Sequence, residues 1–166
     1  MHSPDVLIEG YNRIKEEVHA AVDGLSPEQL HARPGKGANS IAWLIWHLTR
    51  VQDDHVAEAA GNDQAWLAQG WAERFDLPLP ETDTGYGHSA KEVGQVRVPS
   101  GELLVDYYDA VHERTLAYVS ALTAADLDRV VDEGWDPPVT LGVRLVSVLT
   151  DDLQHVGQAA YARGLL

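Results

Sequence analysis

Cysteine is absent from this 166-residue chain, which excludes disulfides, thiolate metal sites and a protein thiol nucleophile. Basic side chains are scarce: 12 Lys and Arg stand against 26 Asp and Glu, a formal charge of −14. That balance repels nucleic acid and anionic membrane surfaces, so neither is expected as a partner. No stretch approaches the ~20 apolar residues that a membrane span needs. The opening His2-Ser3-Pro4-Asp5 has neither the basic nor the apolar region of a signal peptide, so a cytoplasmic location is expected. Internal repeats, low-complexity segments and βαβ alternation are missing too. The length suits one domain over residues 1–166, large enough to bury a core without staples.

What is present reads as helix. Ser3-Pro4 supplies a cap and a first-turn proline, Val6, Leu7, Tyr11, Ile14, Val18, Val22 and Leu25 follow at helical spacing, and Gly24 ends the helix. Ser26-Pro27-Glu28-Gln29 is a capping box for a short turn of helix that stops before Pro34-Gly35. Asn39-Ser40 caps a second long helix to about Ala60, closed by Gly61-Asn62. Asp63 to Phe75 reads as one short helix, Leu77 to Gly87 as an ordered loop, and another short helix follows Ser89. Valine-rich Val96-Arg97-Val98 has the composition of a short strand. A third long helix runs from Pro99-Ser100-Gly101 to about Leu122, and Val130 to Val139, with Pro137-Pro138, reads as a stiff loop. Thr140 caps a fourth long helix to Tyr161 or Ala162. Four long helices with long connections predict an all-α four-helix bundle, whose sites form where inward side chains of facing helices meet.

The chemistry concentrates in Asp151-Asp152-Leu153-Gln154-His155-Val156-Gly157-Gln158. Residues i and i+4 share a helix face, so Asp151 and His155 can reach one point, and a carboxylate with an imidazole there suits a divalent metal. Asp152 is the rival, because i and i+3 are also neighbours. Apolar residues surround most of this helix, while Arg144, Ser147, Asp151, Gln154, His155 and Gln158 form one polar stripe. Such a stripe faces either a cavity or water. His47, among Trp43, Leu44, Trp46 and Leu48, is either a core residue or a third ligand. His55, Asp53 and Asp54 read as surface residues or partners of the ligands, and His19, His31, His88 and His112 have no companion at metal spacing. Trp66, Trp71 and Trp135 lie outside the long helices, where they either line an apolar pocket or pin connections to the core.

A histidine late in the second long helix and a fourth helix carrying [His/Glu/Asp]-x-x-x-His-x-Gly-Gln resemble the DinB-like superfamily of metal-binding four-helix bundles. Asn39 to His55 and Trp135 to Arg144 are similar to actinobacterial members grouped with mycothiol-dependent enzymes. The resemblance implies one divalent ion held by His47, Asp151 and His155, of the zinc or nickel class, with manganese or iron compatible with the same donors. It also implies a homodimer and an S-transferase conjugating mycothiol to small electrophiles. In that reading Gln158 orients the cosubstrate, and Trp43, Tyr107 and Arg144 contact substrate. A hydrolase using activated water and a non-catalytic metal-binding stress-response module are the alternatives. The chain departs from the pattern at Asp151, where many members carry His and the mycothiol-dependent isomerase carries Glu. An anionic ligand lowers the net charge of the centre and hence its Lewis acidity.

Overall fold

In the computed structural model, which describes residues 2–166, four long helices make the frame. They are α1 (Ser3–Val22), α3 (Ile41–Ala60), α7 (Gly101–Ser120) and α8 (Leu141–Arg163). The shorter elements are α2 (Pro27–His31), α4 (Ala65–Ala68), α5 (Trp71–Phe75), α6 (Ala90–Val93), a 3₁₀ turn at Asp126–Asp128, and the strands β1 (Val130–Asp132) and β2 (Val139–Thr140). The expected all-α bundle is what the chain forms.

Helix starts follow the capping chemistry. The Ser40 hydroxyl accepts from the Trp43 N–H at 3.2 Å, and Ser26 with Gln29 closes the capping box over α2. The first cap is His2 rather than Ser3: its backbone N–H donates to Asp5 Oδ2 at 2.7 Å, which moves Pro4 into the first turn. The expected single helix from Asp63 to Phe75 is two. Gly70 sits between them at φ +72°, a left-handed conformation that ends α4 and turns the chain into α5.

Two other expectations change. Val130 and Val139 belong to a short antiparallel hairpin, not a plain loop, because the prolines lie in its tip and leave the pairing edges free. Val96-Arg97-Val98 buries both valines, but its Val98 N–H donates to His31 Nε2 at 2.9 Å instead of to a strand.

The long helices pack in a ring, α1 against α8 and α7, and α3 against α8 and α7. Cross-helix bonds give their directions. Tyr11 donates to the Leu145 carbonyl and Arg163 to the Ala21 carbonyl, so α1 and α8 run parallel. Gln52 to Thr115 and Tyr118 to Ala59 likewise make α3 and α7 parallel. A parallel pair cannot be joined by a tight turn, which is why residues 61–100 form a long crossover.

That crossover is anchored by a buried polar network. Asp53, 3% exposed, accepts from the Ala65 and Trp66 N–H groups at 2.8 Å each and from the Tyr107 hydroxyl at 2.9 Å. It therefore caps α4 from α3, and it is a core residue, neither on the surface nor bonded to the candidate ligands, the two expectations for it. Arg50, 1% exposed, donates to Gln64, to Tyr107 and to the Asp83 carbonyl, with its guanidinium 4.8 Å from the Trp66 ring centre. Trp66 and Trp71 thus pin the crossover, whereas Trp135 is exposed at the hairpin tip.

Helix α8 is not apolar all round. Val143, Val146 and Leu153 are each half exposed, and one of its fully buried residues is an acid, Asp152.

Candidate metal centre

Helices α3 and α8 bring His47, Asp151 and His155 together, each offering a donor atom within 4.8 Å of the others. The His47 and His155 rings lie edge to face at 4.7 Å between centres, and His155 Nε2 is 3.6 Å from Asp151 Oδ1. His47 is buried, while Asp151 and His155 are partly open to solvent.

Both imidazoles have the same nitrogen occupied. His47 Nδ1 lies 2.5 Å from the Thr84 carbonyl, and His155 Nδ1 lies 3.1 Å from Gln158 Oε1. Both acceptors are carbonyl oxygens, so each Nδ1 carries the hydrogen and each Nε2 keeps its lone pair. Burial lowers the pKa of His47, against the opposing pull of the Thr84 carbonyl, and a ligand imidazole must be neutral. Asp151 Oδ2 is buried without a hydrogen-bond partner. Two free imidazole nitrogens and an orphaned carboxylate oxygen are the donor set a divalent cation satisfies.

Asp152 has a different fate. It is fully buried between α1 and α7, and both its oxygens lack partners. Burial, then the charge of Asp151, pushes its carboxyl well above the usual range. The one-residue step along the helix, about 100°, turns it away from His47.

A wall that the sequence did not reveal is built by the segment 83–88. The Asp83 carboxylate accepts from the Gly85 N–H at 2.7 Å and pairs with His88 Nε2 at 2.8 Å. Burial raises the Asp83 pKa, but these contacts and the nearby positive groups outweigh it, leaving the carboxyl below its ordinary value. His88 Nδ1 accepts from the Trp43 indole at 3.0 Å, and Trp43 stacks on His47 at 4.5 Å and 15°. Gly85 crosses directly over this stack at φ +89°; a Cβ there would lie 2.8 Å from His47 Nδ1.

Of the remaining expected site residues, Trp43 and Gln158 touch the cluster. Tyr107 does not: it is fully buried, with its hydroxyl on Asp53. Arg144 lies two turns away, bound to Asp132 at 2.9 Å and facing His55 Nδ1 at 3.2 Å. His19 pairs with Asp109 and His112 with Asn12, away from the cluster.

A helix bundle with one carboxylate and two imidazoles facing each other across antiparallel helices, partly open to solvent, has a side-chain group that could hold a divalent ion. The chain belongs to the DinB superfamily, whose pattern it matches over residues 11–159. It is also similar to the crystal structure of a conserved protein from Enterococcus faecalis, at 33% identity and a TM-score of 0.93, over 99% of this chain and 97% of that one. No curated protein matches it.

Proposed function

We propose that this protein is a divalent-metal-dependent S-transferase that joins mycothiol to small electrophiles. The observation that carries the reading is the pair of imidazoles fixed through Nδ1 beside a carboxylate with an unpartnered oxygen. Zinc or nickel bound there by His47, Asp151 and His155 would supply Lewis acidity toward a thiol. The chain has no cysteine, so the nucleophilic sulfur must come from a cosubstrate. Gln158, hydrogen-bonded to His155, orients the incoming thiol, and the Trp43 indole walls the site on the other side. An enzyme that uses mycothiol would act in the cytoplasm, and that location is part of the proposal; among the described residues no helix is long and apolar enough to cross a membrane.

A homodimer is part of the proposal. Val143, Val146 and Leu153 form a half-exposed stripe on α8, and Arg144, Asp151 and Asp152 all point elsewhere. In a chain of charge −14, a neutral apolar stripe is where two copies approach with least repulsion.

The test is conjugation of mycothiol to monochlorobimane by zinc- or nickel-loaded protein. A C–S bond forms, the C–Cl bond breaks, chloride leaves, and the thiol proton passes to solvent. Fluorescent conjugate above the uncatalysed rate, lost in His155→Ala, is expected. Turnover of ester or amide substrates without thiol, and no conjugate with it, would replace this reading with a hydrolase.

A further inference from the structure

A cavity of about 180 Å³ sits where α3 ends, β1 begins and α8 starts. Arg129, Arg144, His55 and Glu58 line it, with Val130 and Val131 as its apolar side. Arg144 precedes Asp151 by seven residues and His55 follows His47 by eight, so about 10–12 Å of helix separates the cavity from the candidate ligands.

Two of the chain's 12 basic side chains meet here, in a protein of charge −14, and both are held in place. Arg144 donates through Nη2 to Asp132 at 2.9 Å and through Nη1 to His55 Nδ1 at 3.2 Å. A guanidinium only donates, so His55 Nδ1 accepts and the ring hydrogen sits on Nε2, a further donor. Arg129 has no ion-pair partner among the described residues. Its Nη2 is fixed instead by two neutral acceptors, the Ala59 carbonyl at 3.1 Å and the Tyr118 hydroxyl at 3.0 Å. Closing the end of α3 accounts for that nitrogen, but it leaves the Nε and Nη1 hydrogens of the fork without an acceptor in the chain. A guanidinium immobilised by neutral groups keeps its charge and has already lost its rotamer freedom, the arrangement that recognises a carboxylate or phosphate.

The opposing charges are few. Asp132 is taken by Arg144, and Glu58, the one acid on the lining, is paired with neither arginine. More distant acids count for less, because at physiological salt a charge is screened over ~8 Å.

We infer that this cavity is an anion site, separate from the metal centre, which binds the carboxylate or phosphate group of a small acidic molecule and lays its apolar body against Val130 and Val131. None of its residues is a candidate metal ligand, so the inference stands apart from the S-transferase reading.

Nuclear magnetic resonance of the full chain tests it, by following the arginine Nε–H signals of zinc-loaded wild type and of metal-free His155→Ala. The titrants are benzoate, phenyl phosphate and benzamide, the last a neutral isostere of benzoate. Saturable shifts of the Arg129 and Arg144 signals are expected with the acids, at a Kd on the order of 1 mM, in both proteins, and none with benzamide. Arg129→Gln should weaken acid binding about tenfold. Glu58→Gln, which removes a nearby like charge, should tighten it about twofold to fivefold. Glu58 is exposed and unpaired, so that second variant keeps the test sound if loss of Arg129 loosens the fold. Saturation by only one of the two acids supports the site and says which group it serves. Equal binding of benzoate and benzamide, affinities unchanged in both variants, or saturation that disappears with the metal in His155→Ala overturns the inference. Shifts that grow without saturating and vanish at about 0.5 M salt would mean diffuse charge screening, and would overturn it too.

Discussion

Replacing Asp151 by Asn, and separately Asp152 by Asn, tests which of two adjacent acids serves the metal. Asn keeps the shape and one oxygen donor but removes the charge. Two unit charges 4 Å apart interact by about 4 kcal/mol at an effective dielectric of ~20, and a divalent ion doubles that. Asp151 is over a third exposed, and the amide oxygen still coordinates, so about 2.7 kcal/mol of lost binding is a working figure. At 1.4 kcal/mol per decade, zinc or nickel should bind Asp151→Asn about a hundredfold more weakly. Asp152→Asn should leave metal affinity within about twofold, since its carboxylate is turned into the core. It should also raise stability at pH 8 relative to pH 5. A buried carboxyl with a raised pKa contributes stability below its unfolded value that is lost as pH rises, and the amide has no such loss. Competition titration against a chromophoric chelator reads the first effect, and urea denaturation reads the second. Wild-type metal affinity in Asp151→Asn, with loss in Asp152→Asn, would refute the assignment.

Four further outcomes follow from the geometry. His88→Ala removes the acceptor for the Trp43 indole and one partner of Asp83, so metal affinity should fall about tenfold with a shift in tryptophan emission; unchanged affinity would show that the stack on His47 holds without it. Gly85→Ala places a Cβ against His47 at a positive φ, and should cost about 1–3 kcal/mol in chemical denaturation and weaken metal binding with it. Asp53→Ala orphans two N–H groups and the Tyr107 hydroxyl and leaves the buried Arg50 without its counter-charge, so a loss of about 3–5 kcal/mol is expected, and a loss below 1 kcal/mol would contradict the anchoring role. Burial lowers His112 from 6.5 to about 4, so the unfolded chain binds the extra proton first as pH falls. The stabilising effect of its neutral form is complete above pH 6.5 and lost down to pH 4, about 3 kcal/mol in all. Urea midpoints across that window should fall less steeply in His112→Gln.

The frame was legible because its signals are local. Ser26 with Gln29, Ser40, Ser89 and Thr140 each cap within three residues, and the apolar spacing along α1, α3 and α7 needs no knowledge of the partner helix. The crossover was not legible because its determinants are distant. Asp53 stops α4 from fraying across 12 residues of sequence, and Arg50 holds Gln64 and the Asp83 carbonyl at once. In a sequence, an Asp and an Arg three residues apart on a helix look like a solvated pair. Tyr107 was misplaced for the same reason, since nothing local distinguishes a hydroxyl that satisfies a buried acid from one that contacts a ligand.

At the centre, the donor residues carry a sequence signature and their supports do not. Asp151 and His155 are bound to one face by the pitch of a single helix, and His47 stands out as the one polar residue of the apolar stretch 41–48 that opens α3. The group that fixes His47 is a backbone carbonyl, Thr84, which any residue type can supply. What holds that carbonyl in place is Asp83, acting in two directions, on the Gly85 N–H and on His88. The one readable trace was Asp83-Thr84-Gly85 itself, an acid two residues before a glycine, the pattern of a side-chain-closed turn. Read with the Arg50 contact to the Asp83 carbonyl, it gives the crossover a purpose beyond joining parallel helices. The Arg50–Asp53 network ties residues 61–100 to α3 at one end of the buried stretch, and the same arginine sets the height of the turn that orients His47 at the other. Stability of the connection and the tautomer of His47 therefore depend on one guanidinium. Arg50→Lys, which keeps the charge but loses the planar fork, should weaken metal binding and folding together, whereas His155→Ala should remove metal binding and leave folding near wild type.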